Sequence, residues 1–523
     1  MRRDRSSRAV RVAAAAAVAA APLVLPSAAA VAQEAPTWSQ FQGGPGHSGV
    51  LTDGPEPPFR VRWTLDAAEL AAESPRRGIE PSAAPTGDAL SGAVVAGDLA
   101  VSIGNEAVYG IDVASGGIEW RVARDGGPLS IPAIGAGPRG RILVYLDGPG
   151  PNDAGGAPEA SPSPSPSASA ASDAPSTTGP SPSPTGPDEQ PDVSTLVAVS
   201  LADRTELWRT PLEATSRSGV TIEGTNAFVG DQSGTVYAVS LESGTITWSA
   251  EMDGRVDSPV AVADSQVVAV ARNTDTAQVF VAAFDEATGE RSWPALAIHA
   301  NSTAGTAPSV GGGSLFIGSA DRRVRALDTG NGTERWATLA LSLFSPATSL
   351  AFDEESVYAA DIAGGLYRLD AADGGRRWSY HLNEVVLRSS PVVSGSSVLL
   401  GLSDGRLVAV DVTSGHLVWE SAPSAGLVGT IALSSDAVIA VKGGRDAGLI
   451  AFEHDPQGAL VDVPSPTQLE GGTTLTRWAV AAVIVFAVAF LPGIWATRRF
   501  PGVADDEPGD DGSDRVSDSG EGP

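Results

Sequence analysis

From Leu407 to Glu420 the chain reads LVAVDVTSGHLVWE. An apolar run ends at Asp411, a Ser-Gly turn follows, and a second run ends at Trp419. Apolar and polar positions that alternate with a period of two mark a half-buried strand. Two such runs across a glycine turn make a β-hairpin. The Asp can bond backbone amides of the turn, and the Gly supplies the positive φ that tight turns often need. Two more apolar runs, SPVVSG and SVLLGLSDG, stand just before this hairpin, so the unit holds four strands.

The unit recurs. Its other copies read GIDVASGGIEW (110–120), AVSLADRTELW (198–208), AVSLESGTITW (238–248), AFDEATGERSW (283–293), ALDTGNGTERW (326–336) and RLDAADGGRRW (368–378). All seven keep Asp or Ser at the third place and Trp at the eleventh: Trp120, Trp208, Trp248, Trp293, Trp336, Trp378 and Trp419. Six keep Gly at the seventh, namely Gly116, Gly244, Gly289, Gly332, Gly374 and Gly415; the exception is Arg204. From Trp208 onward the spacing is 40 to 45 residues, the length of one propeller blade. The longer interval between Trp120 and Trp208 contains a Ser/Pro-rich insert, 148–192.

After Trp419 come three more apolar runs, TIALSS, AVIAVKGG and GLIAFEHD, without a tryptophan strand of their own. The unpaired run FRVRWTLD (59–66), with Trp63, supplies it. The expected fold is therefore all-β: an eight-bladed β-propeller over 59–460 whose last blade is closed by strands from both ends. Closure removes the open sheet edges that invite aggregation.

The hairpin resembles the Ala-x-Asp-x-x-Thr-Gly-x-x-x-Trp tryptophan-docking motif of the pyrroloquinoline-quinone (PQQ) repeat family. WSQFQGGPGHSG (38–49), in the lead-in segment 33–58, resembles that family's Trp-x-x-Phe lead-in. The resemblance implies that each Trp packs between adjacent blades near the turn Gly of a neighbour. Burying such a ring is worth about 2–3 kcal/mol from area alone. The repeat is specific for fold and weak for function. It is shared by quinoprotein alcohol and sugar dehydrogenases and by the propeller lipoprotein of the outer-membrane assembly machinery, which binds no quinone. This chain resembles the latter more. Dehydrogenases of the family use Glu and Asn calcium ligands, a catalytic Asp, long active-site insertions and, in some members, a vicinal disulfide. Here cysteine is absent and most blades are of minimal length.

Composition changes the picture at the two ends. MRRDRSSRAVRVAAAAAVAAAPLVLPSAAAVAQ has a basic leader, a short apolar core and an Ala-Val-Ala cleavage pattern, so residues 1–32 read as a secretory signal peptide. WAVAAVIVFAVAFLPGIWAT (Trp478–Thr497) is uncharged and long enough to span a bilayer. Arg498 and Arg499 follow it, which places the C-terminal side in the cytoplasm. The expected organisation is a spacer over 461–476, one transmembrane helix over 477–497 and an acidic disordered tail over 498–523. The net charge of −28 excludes a nucleic-acid binder.

No residue set reads as catalytic, cofactor-binding or metal-binding. The repeated Asp112, Asp285, Asp328, Asp370 and Asp411 each stand alone in their own repeat and read as turn caps, not calcium ligands. His47, His299, His381, His416 and His454 lack metal spacing, with His47 in the lead-in the one worth testing. GAGPRG (135–140) matches a dinucleotide pattern, but a strand follows it and no helix. The expected function is recognition of a protein or glycan at the cell surface, without cofactor. The alternative is a PQQ- and calcium-dependent dehydrogenase of alcohols or sugars.

Overall fold

The computed structural model describes residues 38–66, 90–148 and 193–461, apart from short stretches at 277, 299–306, 320, 340–348, 425 and 445–446. The expected signal peptide, the inserts at 66–92 and 148–192, the transmembrane helix and the tail lie wholly or almost wholly outside them. Among the described residues no helix is long and apolar enough to cross a membrane.

The described chain is all β, arranged as eight sheets. Blades 1 to 7 run Val94–Ala123, Ala133–Pro211, Thr221–Glu251, Ala261–Ile298, Ser309–Leu339, Ala351–His381 and Val392–Glu420. Each is an antiparallel meander whose first strand is innermost and whose fourth is the outer edge. Blade 8 combines Val428–Leu433, Ala437–Lys442 and Gly448–His454 with the N-terminal strand Phe59–Asp66. Phe59 pairs with His454 and Asp66 with Gly448. Ion pairs from Arg60 to Glu453, Arg62 to Asp436 and Lys442 to Asp66 line this closing seam.

Alternation decides which side chains form the core. In Thr235–Ser240 and its counterparts the second and third strands are buried on both faces, because blades pack on either side. The fourth strands alternate and face solvent. Blade 4 departs from the repeat. Its fourth strand, Leu296–Ile298, starts after Trp293 and not through it, since Pro294 lacks the N–H that the ladder requires.

Blade 7 has a fifth strand, Val50–Leu51, which pairs in parallel with Val393 and Ser394 on the channel side. The lead-in is therefore part of the ring and not a separate approach to it.

The channel segment and the blade seams

Six tryptophans reach across to the next blade. Trp63, Trp208, Trp248, Trp293, Trp336 and Trp378 lie against Gly116, Gly244, Gly289, Gly332, Gly374 and Gly415. Those glycines all have φ between 70° and 73°, a region other residues enter only under strain. A Cβ on any of them would come within 2.5 to 2.7 Å of the facing blade's side chains. Each indole also donates its N–H to a carbonyl on the same turn, those of Val113, Leu241, Glu286, Thr329, Ala371 and Val412, at 2.8 to 3.0 Å. The ring is buried in four of them and partly buried at Trp208 and Trp378, and its one polar atom is satisfied by the same neighbour.

Two tryptophans differ. Trp419 faces blade 8, whose outer pair comes from opposite ends of the chain and so has no hairpin turn. Its ring meets Phe59 and Phe452 edge-on, with centroids 5.1 and 6.0 Å away. Trp120 faces Arg204, the one turn without glycine. Arg204 holds φ at 61°, and its guanidinium stands 6.0 Å over the Trp120 ring. The Trp120 N–H has no acceptor.

The repeated aspartates cap turns. Asp112 accepts from the Ser115 amide, Asp285 from those of Ala287 and Thr288, and Asp411 from that of Ser414. Asp328 and Asp370 bond turn amides and pair with Arg335 and Arg377. Hydrogen bonds to Ser115 and Thr288 hold Asp112 and Asp285 below the usual carboxylate range. Among the described residues no group of three or more His, Cys, Asp or Glu could hold a metal. GAGPRG is the turn between strands Ala133–Gly137 and Gly140–Asp147. His381 lies in an outer strand and His416 in a turn; His454 bonds the Glu56 carbonyl through Nδ1 at 2.8 Å. His299 is outside the described residues.

The lead-in holds the feature that sequence reasoning missed. Residues 38–51 circle the inside of the ring and meet the innermost strand of one blade after another. Trp38 bridges Val95 of blade 1, and the Ser39 carbonyl accepts from Ile134 of blade 2. The Gln40 amide makes two bonds to the Ile222 backbone in blade 3, at 2.7 and 3.1 Å. Carbonyls of Pro45, Gly46, Ser48 and Gly49 accept from Val262, Val310, Phe352 and Val393 of blades 4 to 7. Positive φ at Gln42, Gly43, His47 and Gly49 curls the segment tightly enough to do this. Gly46 is required by closeness, because its Cβ would lie 2.3 Å from the Val310 carbonyl oxygen.

Phe41 and His47 fill the middle, edge to face at 5.1 Å. His47 is fully buried. Its Nδ1 lies 2.9 Å from the Pro308 carbonyl, which makes that nitrogen the protonated one. Burial pushes the imidazole down to about 4, only partly offset by that bond. His47 is thus a neutral hub residue. The inner strands of the ring are thus bridged by residues 38–51 of the same chain. The density of glycine in GGPGHSG was the available signal.

Eight blades, six of whose seams are fastened by an indole on a turn glycine, define a tryptophan-docked repeat propeller. A family model described as "Outer membrane protein assembly factor BamB" matches residues 192–298 and 277–455, just over half of the chain. The chain belongs to this PQQ-repeat family. Proteins of that name from Yersinia pestis and Bordetella pertussis are 24% and 29% identical over 235 and 211 residues, covering 42% and 37% of this chain and 56% and 52% of theirs. The chain thus spans about half the length of the curated relatives it matches. A quinohemoprotein alcohol dehydrogenase of Pseudomonas putida HK5 has the same fold, with a TM-score of 0.54 at 11% identity over 86% of this chain and 85% of its own.

Proposed function

We propose that this protein is a non-enzymatic interaction scaffold: an exported propeller that recognises another protein at the membrane surface. The observation that carries the reading is the channel segment. The axis of a ring-shaped fold is where a cofactor would be held by all blades at once, and here residues 38–51 make those contacts instead. The name of the relatives, an assembly factor, points the same way. In this reading residues 1–32 direct export, 477–497 anchor the chain in the membrane, and 498–523 remain in the cytoplasm. A net charge of −28 favours a basic partner.

The test is to purify the full-length chain, add PQQ and calcium, and assay dye reduction with alcohols and aldoses. The expected result is no copurifying quinone absorbance and no substrate-dependent reduction. Either signal would replace this reading with a dehydrogenase.

A further inference from the structure

The seam between blades 1 and 2 differs from the other docked seams in two linked ways. The turn glycine is Arg204, and the residue paired directly across from Trp120 is Gly110. A Cβ at Gly110 would lie 2.0 Å from Trp120 Cε2 and 2.4 Å from its Nε1. The corresponding partners of five docked tryptophans, Ala451, Ala198, Ala238, Ala326 and Arg368, all carry a Cβ. The glycine lets the Trp120 ring sink onto its own blade. The carbonyl that would receive its N–H, by analogy with the six docked seams, is that of Leu201, and the indole does not reach it.

A notch of about 330 Å³ opens at this seam, lined by Ala96, Asp98, Leu99, Glu119, Arg141, Leu201 and Ala202. Arg141 is steadied there by a 2.8 Å bond to the Ala96 carbonyl. Among the described residues Asp98 and Glu119 make no ion pair.

We propose that this notch is an unfilled copy of the docking socket, and that it takes a tryptophan side chain from a partner protein. The inference rests on the scaffold reading and names what that scaffold would grip. Six seams show what a socket of this construction holds: an indole, ring against the turn, N–H on the fourth-place carbonyl. Leu99, Leu201, Ala96 and Ala202 supply the apolar walls, and Arg141 supplies a guanidinium for the ring face. Asp98 and Glu119 disfavour acidic residues beside the incoming ring. The other tryptophans among the described residues are already buried or docked, and Trp478 and Trp495 fall in the segment read as the membrane anchor, which assigns the occupant to another chain.

The test uses the full-length chain labelled with 5-fluorotryptophan, the Trp120 signal being assigned by its loss in Trp120→Phe. Unlabelled N-acetyltryptophanamide is titrated in as the probe. The Trp120 resonance should shift saturably, and N-acetylphenylalaninamide, which has no indole N–H, should bind at least about tenfold more weakly. The double variant Gly110→Ala/Arg204→Gly should dock Trp120, melt at a higher temperature and lose the binding. No saturable shift, equal binding of the phenyl probe, unchanged binding in the double variant or a lower melting temperature would each overturn the proposal. A crosslinked partner recovered equally with both proteins would remove the notch while leaving the scaffold reading in place.

Discussion

The Trp336 ring lies on Gly374 of the next blade, where a Cβ would come within 2.5 Å of its Cε3, and its N–H is held by Ala371 of the same turn. Packing, backbone conformation and hydrogen bonding meet between one ring and one turn, and substitutions on the two sides remove different parts of the contact.

Trp336→Ala should cost about 3–5 kcal/mol, as for large buried aromatics. Gly374→Ala should cost less, on the order of 1–3 kcal/mol, through strain at positive φ and the clash with the ring. His416→Ala, in a solvent-facing turn, should change stability by no more than about 0.5 kcal/mol. Urea midpoints measure all three, and equal small effects would remove the docking interpretation.

His47 makes stability depend on pH. The folded imidazole titrates near 4 and the unfolded one near 6.5, so between these values the unfolded chain binds a proton that the folded chain refuses. The contribution is intact above about 6.5 and is lost as pH falls toward 4, by roughly 3 kcal/mol in total. Urea midpoints of the wild type and His47→Gln should converge in slope above pH 7 and diverge below 6. Parallel profiles would show that His47 does not titrate as its burial requires.

The topology is tested on intact cells. Protease added outside should degrade the propeller and leave a tag after Pro523 protected. A tag cleaved from outside reverses the assignment.

Orientation follows from strand direction. The insert 148–192 joins second and third strands of blade 2, and 66–92 joins blade 8 to blade 1, which puts their roots on one face. The chain leaves blade 8 after its third strand, Gly448–His454, on the other. With an anchor at 477–497, a photo-crosslinker at Ser414 should reach lipid more readily than one at Ala170. The opposite ranking would turn the propeller over.

Much of the ring was legible because it repeats. Trp, Gly and Asp at constant spacing specify one hairpin many times over, and the orphan strand with Trp63 left blade 8 one way to close. Residues 38–51 were not legible in the same way. They have no periodicity, and their partners are carbonyls and amides on seven different blades. Nothing local records that Gly46 must clear Val310. Trp120 was half legible: Arg204 breaks the motif visibly, while Gly110 gains meaning only once it is seen opposite the ring.

The channel segment also constrains how the ring comes together in time. Glu56 and His454 are joined across 398 residues, and the segment just before Glu56 needs seven blades in place to complete its bonds. Loop closure over such separations is slow, and contact order this high delays the final structure. The first part of the ring to leave the ribosome is thus among the last to settle. Blades can form as local meanders during synthesis, but a closed ring exists only after the strand at 448–454 has emerged, so truncation anywhere before it leaves Phe59–Asp66 without its partner and the ring open.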